Sequence, residues 1–224
     1  MPLEAIVFDF DGVLANTEPL HLNAYQHVLA PIGITLTVEE YYDRYLGLDD
    51  QAAFRALARE KPLALNDELL GTLIERKTRY YQALVKDKPV LFPGATECVR
   101  RCAGEAPLAI ASGALRDEIE IVLRANDLTR FFRAIVAAGE TPLSKPAPDP
   151  YARAVERVGA TPGRCVAIED SGWGLASAIA AGLRCVGVTH TYPAGRLSGA
   201  SLIVGDLSAI TVEALRKLCD NTFE

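Results

Sequence analysis

Two carboxylates separated by one residue stand near the amino terminus, in the segment Asp9-Phe10-Asp11-Gly12. On an extended chain this spacing points both side chains to the same side, so one carboxylate can attack a substrate while the other moves a proton. Gly12 allows the chain to turn sharply directly afterwards. Taken alone, such a segment is as often an ordinary turn as a site.

Three further polar segments follow later apolar runs of the chain: Ser112-Gly113, Lys145 and Glu169-Asp170. They supply a hydroxyl with accessible amides, an ammonium group and two more carboxylates. Each also has a simple structural explanation, because Ser-Gly pairs form turns, lysines beside prolines are usually solvated, and acidic pairs cap helices. Four such coincidences at one place are much harder to explain, so together the segments indicate a functional site.

A cluster of acidic side chains needs a cation. The carboxylates of Asp9, Asp11, Glu169 and Asp170 would repel one another strongly if they converged without one. Mg²⁺ is a hard cation that prefers oxygen ligands of this kind. The sequence therefore predicts a magnesium site among these residues.

The elements that must position these residues are short, almost continuously apolar runs, which are typical of strands covered on both faces. The predicted strands are residues 5–10, 108–111, 134–137, 165–169, 185–188 and 202–204. Helical patterns separate most of them, at residues 115–126, 148–158, 174–181 and 212–218. This alternation predicts an α/β fold with a Rossmann-like parallel sheet, whose ligands bind beyond the carboxyl ends of the strands.

The interval between the first two strands is predicted to be helical instead. Apolar residues repeat at helical spacing at Tyr25, Val28, Leu29 and Ile32, and again between positions 69 and 84. Thr37 begins a capping box, and Asp49 is placed to cap a helix that runs to about residue 60. We therefore predict a helical cap domain of residues 17–88, inserted into an α/β core of residues 1–16 and 89–224.

Composition limits the classes of protein to which the chain can belong. Its 224 residues are 50% hydrophobic, which excludes intrinsic disorder, and 23 Lys+Arg against 29 Asp+Glu give a formal charge of −6, which argues against broad nucleic-acid binding. No apolar stretch is long enough for a membrane span, and we expect no secretory leader, because the first residues include Glu4 and then a strand-like run. The five cysteines include no C-x-x-C pair, so we expect reduced thiols in a cytoplasmic protein. No protein partner is implied.

In combination the motifs resemble those of the haloacid dehalogenase-like (HAD) superfamily. The resemblance rests on Phe8-Asp9-Phe10-Asp11-Gly12-Val13-Leu14, Ser112, Lys145 and Glu169-Asp170. One branch, which contains β-phosphoglucomutase and sugar-phosphate phosphatases, is more similar still. That closer similarity lies in Thr17-Glu18, Ser144-Lys145-Pro146-Ala147-Pro148-Asp149 and Glu169-Asp170-Ser171 with Gly174. The match extends over nearly the whole chain, since the family also has a helical cap inserted after its first motif.

The resemblance implies a role for each of these residues. Asp9 would be the nucleophile that forms an aspartyl-phosphate, and Asp11 would first protonate the leaving oxygen and then activate water. Mg²⁺ would be held by Asp9, the main-chain carbonyl of Asp11 and Asp170, with Glu169 either a ligand or a partner of one. The phosphoryl oxygens would be held by Ser112 and the Gly113 amide, with Lys145 neutralising their charge.

Outside these motifs the resemblance points to residues that could face the substrate. His21 matches a cap histidine near the leaving group, Gly47 a cap glycine, and Lys77 a lysine that faces the site; His21 and Lys77 could equally be solvated helix residues. Arg116 is a further nearby cation. Trp173 is expected to pack where core and cap meet.

The favoured function is a Mg²⁺-dependent phosphatase for a small phosphorylated metabolite, such as a sugar phosphate. A phosphosugar mutase is the alternative, but Asp50 and Leu46 stand where a mutase of this branch has cations, and Arg44 could compensate only partly. A non-catalytic binding module, the third hypothesis, predicts the loss of a catalytic residue. Asp9, Asp11, Lys145 and Asp170 are all present.

Overall fold

The computed structural model describes residues 2–46, 48–86 and 90–220, and the chain forms two compact units. The core unit comprises Met1–Asn16 and Leu91–Glu224, and the cap unit comprises Thr17–Val90. No helix within the described residues has both the length and the apolar character that crossing a membrane requires.

The cap unit is helical. Many of its buried residues, among them Leu29, Phe54 and Leu73, pack in one apolar cluster. Ile32 was expected on the buried face of the first helix, and this is wrong: the helix ends at Leu29, because Pro31 lacks an N–H donor, and Ile32 is 38% exposed. The helices are α1 (Glu18–Leu29), α2 (Val38–Glu40), α3 (Asp50–Glu60) and α4 (Asp67–Lys86).

Both predicted helix caps in this unit are present. The Thr37 hydroxyl accepts a hydrogen bond from the Glu40 amide (3.1 Å), while the Glu40 carboxylate accepts one from the Thr37 amide (3.0 Å). The helix that they open is a single α-turn followed by a π-helical segment, Tyr41–Tyr45. Asp49 accepts a hydrogen bond from the Ala52 amide (2.7 Å) at the start of α3, which ends at Glu60 as expected.

The core unit contains a six-stranded parallel sheet in the order β3-β2-β1-β4-β5-β6, which confirms the predicted Rossmann-like α/β fold. The first strand is central and completely buried, and it ends two residues earlier than expected, before the chain turns at Gly12. The third strand begins two residues earlier than expected. The strands are β1 (Ala5–Phe8), β2 (Leu108–Ala111), β3 (Phe132–Val136), β4 (Cys165–Glu169), β5 (Arg184–Val188) and β6 (Leu202–Val204).

Five helices of the core unit cover the sheet within the described residues. The helix α5 was not predicted from the sequence; its buried face carries Cys98, Val99 and Cys102. All five cysteines are buried free thiols, as expected. The helices are α5 (Ala95–Ala103), α6 (Arg116–Ala125), α7 (Asp149–Val158), α8 (Gly172–Ala180) and α9 (Val212–Asp220).

Candidate active site

The parallel pairing of β1 with β4 brings two carboxylates together at the carboxyl edge of the sheet. Phe8 lies opposite Ile168, and the Asp9 amide donates to the Ile168 carbonyl at 2.9 Å, so Asp9 and Glu169 leave adjacent strands side by side. Asp9 is 7% exposed, Glu169 is completely buried, and Asp170 is 5% exposed. The edge therefore concentrates negative charge where water screens it poorly.

Lys145 supplies the positive charge that this edge requires. Its ammonium group donates to Asp9 Oδ1 and to Glu169 Oε1, both at 2.6 Å. Charge-assisted hydrogen bonds of this length are among the stronger polar contacts in proteins. The side chain is mostly buried, at 14% exposed, so its charge acts on Asp9 and Glu169 with little screening by solvent.

The charges of these three groups shift their protonation equilibria. Burial, reinforced by the negative charge of Glu169, raises the pKa of Asp9 to about 8 despite the attraction of Lys145. Burial alone would lower the pKa of Lys145, but the carboxylates of Asp9 and Glu169 outweigh it and raise that pKa. The lysine is therefore cationic at neutral pH, and further positive charge near Asp9 would favour its ionised form.

Glu169 is extensively hydrogen-bonded. Its Oε1 accepts from Lys145 and from the Tyr151 hydroxyl, the latter at 2.7 Å. Its Oε2 accepts from the Asp170 amide (3.1 Å), the Ser171 amide (3.4 Å) and the Ser171 hydroxyl (3.1 Å). Both oxygens of this buried carboxylate are thus satisfied by the protein itself.

Two glycines permit the close packing around these carboxylates. A Cβ at Gly12, whose φ is +80°, would lie 1.9 Å from Asp170 Oδ2. A Cβ at Gly174, in the first turns of α8, would lie 1.8–2.1 Å from the carboxyl atoms of Glu169. Only glycine fits at either position, which gives Gly174 of the recognised motif a physical reason.

The acidic cluster fits a hard divalent cation. Asp9, Glu169 and Asp170 each offer a carboxylate oxygen, and these oxygens lie within 4.8 Å of one another. The Asp11-Gly12 backbone also passes close to Asp170, because Gly12 has no Cβ there. When all three carboxylates are ionised, Lys145 balances only one of their negative charges, so the oxygen donors and the charge of the cluster both suit Mg²⁺.

Ser112 and Gly113 follow β2, the neighbour of β1, at the same edge of the sheet. Ser112 is 4% exposed, and its hydroxyl accepts a hydrogen bond from the Ala114 amide at 3.0 Å. Gly113 is exposed, and nothing lies within 4 Å of the position that its Cβ would take. The backbone there is open to a ligand.

Asp11 lies half-buried in the turn that follows β1. The turn is closed by the Gly12 amide, which donates to the Ala15 carbonyl at 2.8 Å. His190 Nδ1 lies 3.0 Å from the Gly12 carbonyl oxygen on its other side. Gly12, which follows the second carboxylate, is therefore held through both its amide and its carbonyl group.

In the cap unit, Lys77 and His21 belong to one hydrogen-bonded cluster. Lys77 is 2% exposed, so it is not a solvated helix lysine, and it donates to Asp50 (2.7 Å) and to His21 Nδ1 (2.8 Å). Burial and then the charge of Lys77 hold the pKa of His21 well below its usual value, so the ring is neutral. Asp50 also accepts from the Tyr25 hydroxyl at 2.7 Å. Gly47 lies outside the described residues.

Other residues considered from the sequence have partners of their own or stand exposed. Arg116 donates to Glu140 (2.6 Å) and to the Ile135 carbonyl (2.8 Å), which holds it against the core unit. Arg44 pairs with Glu60 at 2.8 Å. Trp173 is 59% exposed.

Tyr151 and the hydroxyl of Ser171 contact Glu169 but were not predicted from the sequence. Tyr151 was detectable as a polar-tipped aromatic on the buried face of a helix, because it precedes Ala154 and Val155 by three and four residues. Its position six residues after Lys145 gave no chemical signal. Only the packing of α7 against the sheet brings its hydroxyl to Glu169.

Comparison with known proteins identifies the family. The model of the haloacid dehalogenase-like hydrolase family matches residues 6–188, so the chain belongs to that family. Protein CbbY of Rhodobacter capsulatus is 34% identical over 97% of this chain and 100% of its own length. A phosphorylated carbohydrates phosphatase of Thermotoga maritima is 31% identical over 87% of this chain and 89% of its own length.

A solved structure is similar over the whole fold. It is a CbbY variant from Rhodobacter sphaeroides in complex with xylulose-(1,5)bisphosphate, 28% identical, with a TM-score of 0.85 over 96% of this chain and 99% of that one. Together these findings confirm the predicted class, a HAD-like phosphoric monoester hydrolase of the sugar-phosphate phosphatase branch.

Substitution of Gly174 tests the packing of the site. Gly→Ala in a helix is normally stabilising by up to about 1 kcal/mol, but at Gly174 the new Cβ displaces the Glu169 carboxylate. We expect Gly174→Ala to lower the free energy of unfolding by more than about 2 kcal/mol and phosphatase activity at least tenfold, measured by denaturant titration and phosphate release.

Gly172→Ala, on the same helix, is the matched control. A Cβ there would meet only the Arg196 carbonyl oxygen, at an ordinary 3.5 Å, so stability should be unchanged or slightly raised and activity unchanged. Equal effects of the two substitutions would show that the contact with Glu169 is not what requires glycine at position 174.

Proposed function

We propose that the chain is a Mg²⁺-dependent phosphatase that hydrolyses a small phosphorylated metabolite, a sugar phosphate in the first instance, through an aspartyl-phosphate on Asp9. The observation that carries this proposal is the buried junction at which Lys145 contacts both Asp9 and Glu169, beside Asp170. The junction holds one carboxylate oxygen of Asp9 in a fixed direction at the edge of the sheet where ligands of parallel α/β folds bind.

In the first half-reaction, a carboxylate oxygen of Asp9 attacks the phosphorus atom and the bond from phosphorus to the ester oxygen breaks. Asp11 gives its proton to the departing oxygen, which leaves as an alcohol. Lys145, the Ser112 hydroxyl and the Gly113 amide hold the phosphoryl oxygens, where charge accumulates during transfer.

In the second half-reaction, Asp11 takes a proton from water as the water oxygen attacks phosphorus. The bond between phosphorus and Asp9 breaks, inorganic phosphate leaves, and the Asp9 carboxylate is restored. The sum of the two steps is ester plus water giving alcohol plus phosphate, with Asp11 returned to its protonated form.

Asp9, Asp170 and the Asp11 carbonyl are the groups that would hold Mg²⁺. When bound, the ion neutralises charge on the phosphoryl group and favours the ionised form of Asp9. We assign Glu169 a supporting role, because both of its oxygens already accept hydrogen bonds from the protein. A direct bond from Glu169 to the ion would require at least one of these hydrogen bonds to be given up.

The relatives support a sugar phosphate as the substrate. The Thermotoga maritima relative is named for phosphorylated carbohydrates, and the Rhodobacter sphaeroides CbbY variant holds xylulose-(1,5)bisphosphate. That complex favours a bisphosphate as the second candidate. We further propose that the enzyme works in the cytoplasm, since its cysteines are buried free thiols.

A mutase receives less support from the cap unit. To retain a bisphosphate intermediate, a mutase needs net positive charge for the second phosphate. Lys77 is neutralised by Asp50, and Arg44 is paired with the exposed Glu60. The Asp50 carboxylate is thus balanced rather than free, so its repulsion of a second phosphate is weaker than the sequence suggested. The Lys77–Asp50 and Arg44–Glu60 pairs carry no net positive charge with which to hold a second phosphate.

Metal dependence is the first test. Phosphate release is measured over a panel of sugar monophosphates and bisphosphates, and we expect EDTA to abolish it and Mg²⁺ to restore it. Asp170→Asn should raise the Mg²⁺ concentration for half-maximal activity by about tenfold or more, because it removes a proposed ligand.

Asp117→Asn is the control for charge, since Asp117 is an exposed acid on α6 of the same core unit. It should leave the Mg²⁺ requirement unchanged. Full turnover of the unsubstituted enzyme in metal-free buffer would contradict the proposed site.

Product analysis distinguishes a phosphatase from a mutase. The substrates are aldose 1-phosphates and 6-phosphates, and phosphorus NMR measures both products. We expect the amount of released phosphate to exceed the amount of isomerised sugar phosphate greatly. Asp9→Asn should abolish both products, which would show that they arise at one site. Efficient isomerisation with little free phosphate would refute the phosphatase proposal and establish the mutase.

A further inference from the structure

We infer that Tyr151 is a positioning residue of this site: its hydroxyl orients the Glu169 carboxylate, which in turn holds the Lys145 ammonium group against Asp9. The inference rests on the proposed function, and it adds a residue that the motifs of the sequence do not contain.

The hydrogen bond from Tyr151 reaches the same oxygen that Lys145 uses. The Tyr151 hydroxyl donates to Glu169 Oε1 at 2.7 Å, and Lys145 donates to that oxygen at 2.6 Å. The hydroxyl oxygen and the ammonium nitrogen are 3.5 Å apart, and the nitrogen lies 5.0 Å from the centre of the tyrosine ring. The phenol therefore contacts both members of the Lys145–Glu169 pair.

Packing fixes Tyr151 along its whole side chain, whereas Lys145 is held at the site through the hydrogen bonds of its ammonium group. Tyr151 is completely buried on α7, where it packs in the apolar cluster with Ala154 and Val155. Lys145 stands before this helix in a proline-rich loop and reaches the site on a long, flexible side chain. The Tyr151 side chain has few rotatable bonds and is packed in place. Its hydroxyl therefore fixes the position of Glu169 Oε1, to which the Lys145 ammonium group binds.

The hydroxyl also controls how strongly Glu169 attracts Lys145. With two donors on Oε1, the negative charge of this oxygen is shared between the phenol and the ammonium group. Without the phenol donor, Oε1 becomes a stronger acceptor for Lys145 alone. The ammonium group is then drawn from Asp9 towards Glu169, and the nucleophile loses its fixed orientation.

The test is Tyr151→Phe, which keeps the ring and its packing and removes only the donor. With Mg²⁺ and the best substrate of the phosphate-release panel, we expect kcat to fall by about tenfold, the lower end of the effect usual for groups that orient active-site residues. KM should change less than about twofold, because a completely buried Tyr151 has no surface to offer the substrate. A kcat within about twofold of the unsubstituted enzyme would overturn the inference.

A double-substitution cycle shows whether Tyr151 acts through Glu169. In a Glu169→Gln background, Tyr151→Phe should lower kcat by no more than about twofold, since the carboxylate it orients is gone. An undiminished tenfold loss in that background would mean that Tyr151 acts in another way, and would also overturn the inference.

Val155→Ala is the control for packing, because it opens a cavity in the same cluster beside the same helix. It should lower the melting temperature and leave kcat within about twofold. A loss of kcat equal to that of Tyr151→Phe would make packing alone a sufficient explanation and overturn the positioning role.

Failure of the proposed function looks different from failure of this inference. If the unsubstituted enzyme releases no phosphate from any member of the panel, the proposed function and the catalytic use of Tyr151 both fail. The same cycle of variants, followed by melting temperature, then tests the contact itself. Non-additive changes in melting temperature would show that Tyr151 is coupled to Glu169. Additive changes would overturn that coupling as well.

Discussion

The contact between one buried ammonium group and two buried carboxylates constrains the rest of the core unit. A buried carboxylate without a partner costs several kcal/mol, and here Asp9 and Glu169 leave adjacent strands with almost no access to water. Lys145 compensates both, and it can do so because β1 pairs directly with β4. Two glycines remove the Cβ atoms that would separate the carboxylates from their surroundings. The remaining negative charge is what suits the cluster to a metal ion.

Much of this fold could be predicted from the sequence because parallel strands buried on both faces are short, continuous apolar runs. The limits of β2, β4 and β6 agree with those runs. Where prediction was wrong, local chemistry decided the outcome. Pro31 ended α1 before Ile32, and the turn at Gly12 ended β1 at Phe8. Helix α5 was missed although its buried face carries apolar residues at helical spacing.

Some residues of the candidate site could also be predicted from the sequence, and others could not. The charged residues at or beyond the ends of strands, such as Asp9, Lys145 and Glu169, could be predicted from their residue types and their spacing. Tyr151 does not, because its function depends on the packing of α7 against the sheet, which a linear pattern does not contain. Nor could the sequence show that Lys77 is balanced by Asp50, since these residues stand 27 positions apart on different helices.

The central claim is that Asp9 becomes phosphorylated during turnover. The most direct measurement mixes the enzyme and Mg²⁺ with a substrate labelled in its phosphoryl group, quenches with acid within milliseconds, and counts the label on the protein. The account predicts transient label on the unsubstituted enzyme, released by hydroxylamine as an acyl phosphate should be, and none on Asp9→Asn. Free phosphate without any label on the protein would show direct attack by water, and label that persists on Asp9→Asn would show a different nucleophile. Either result would contradict the account.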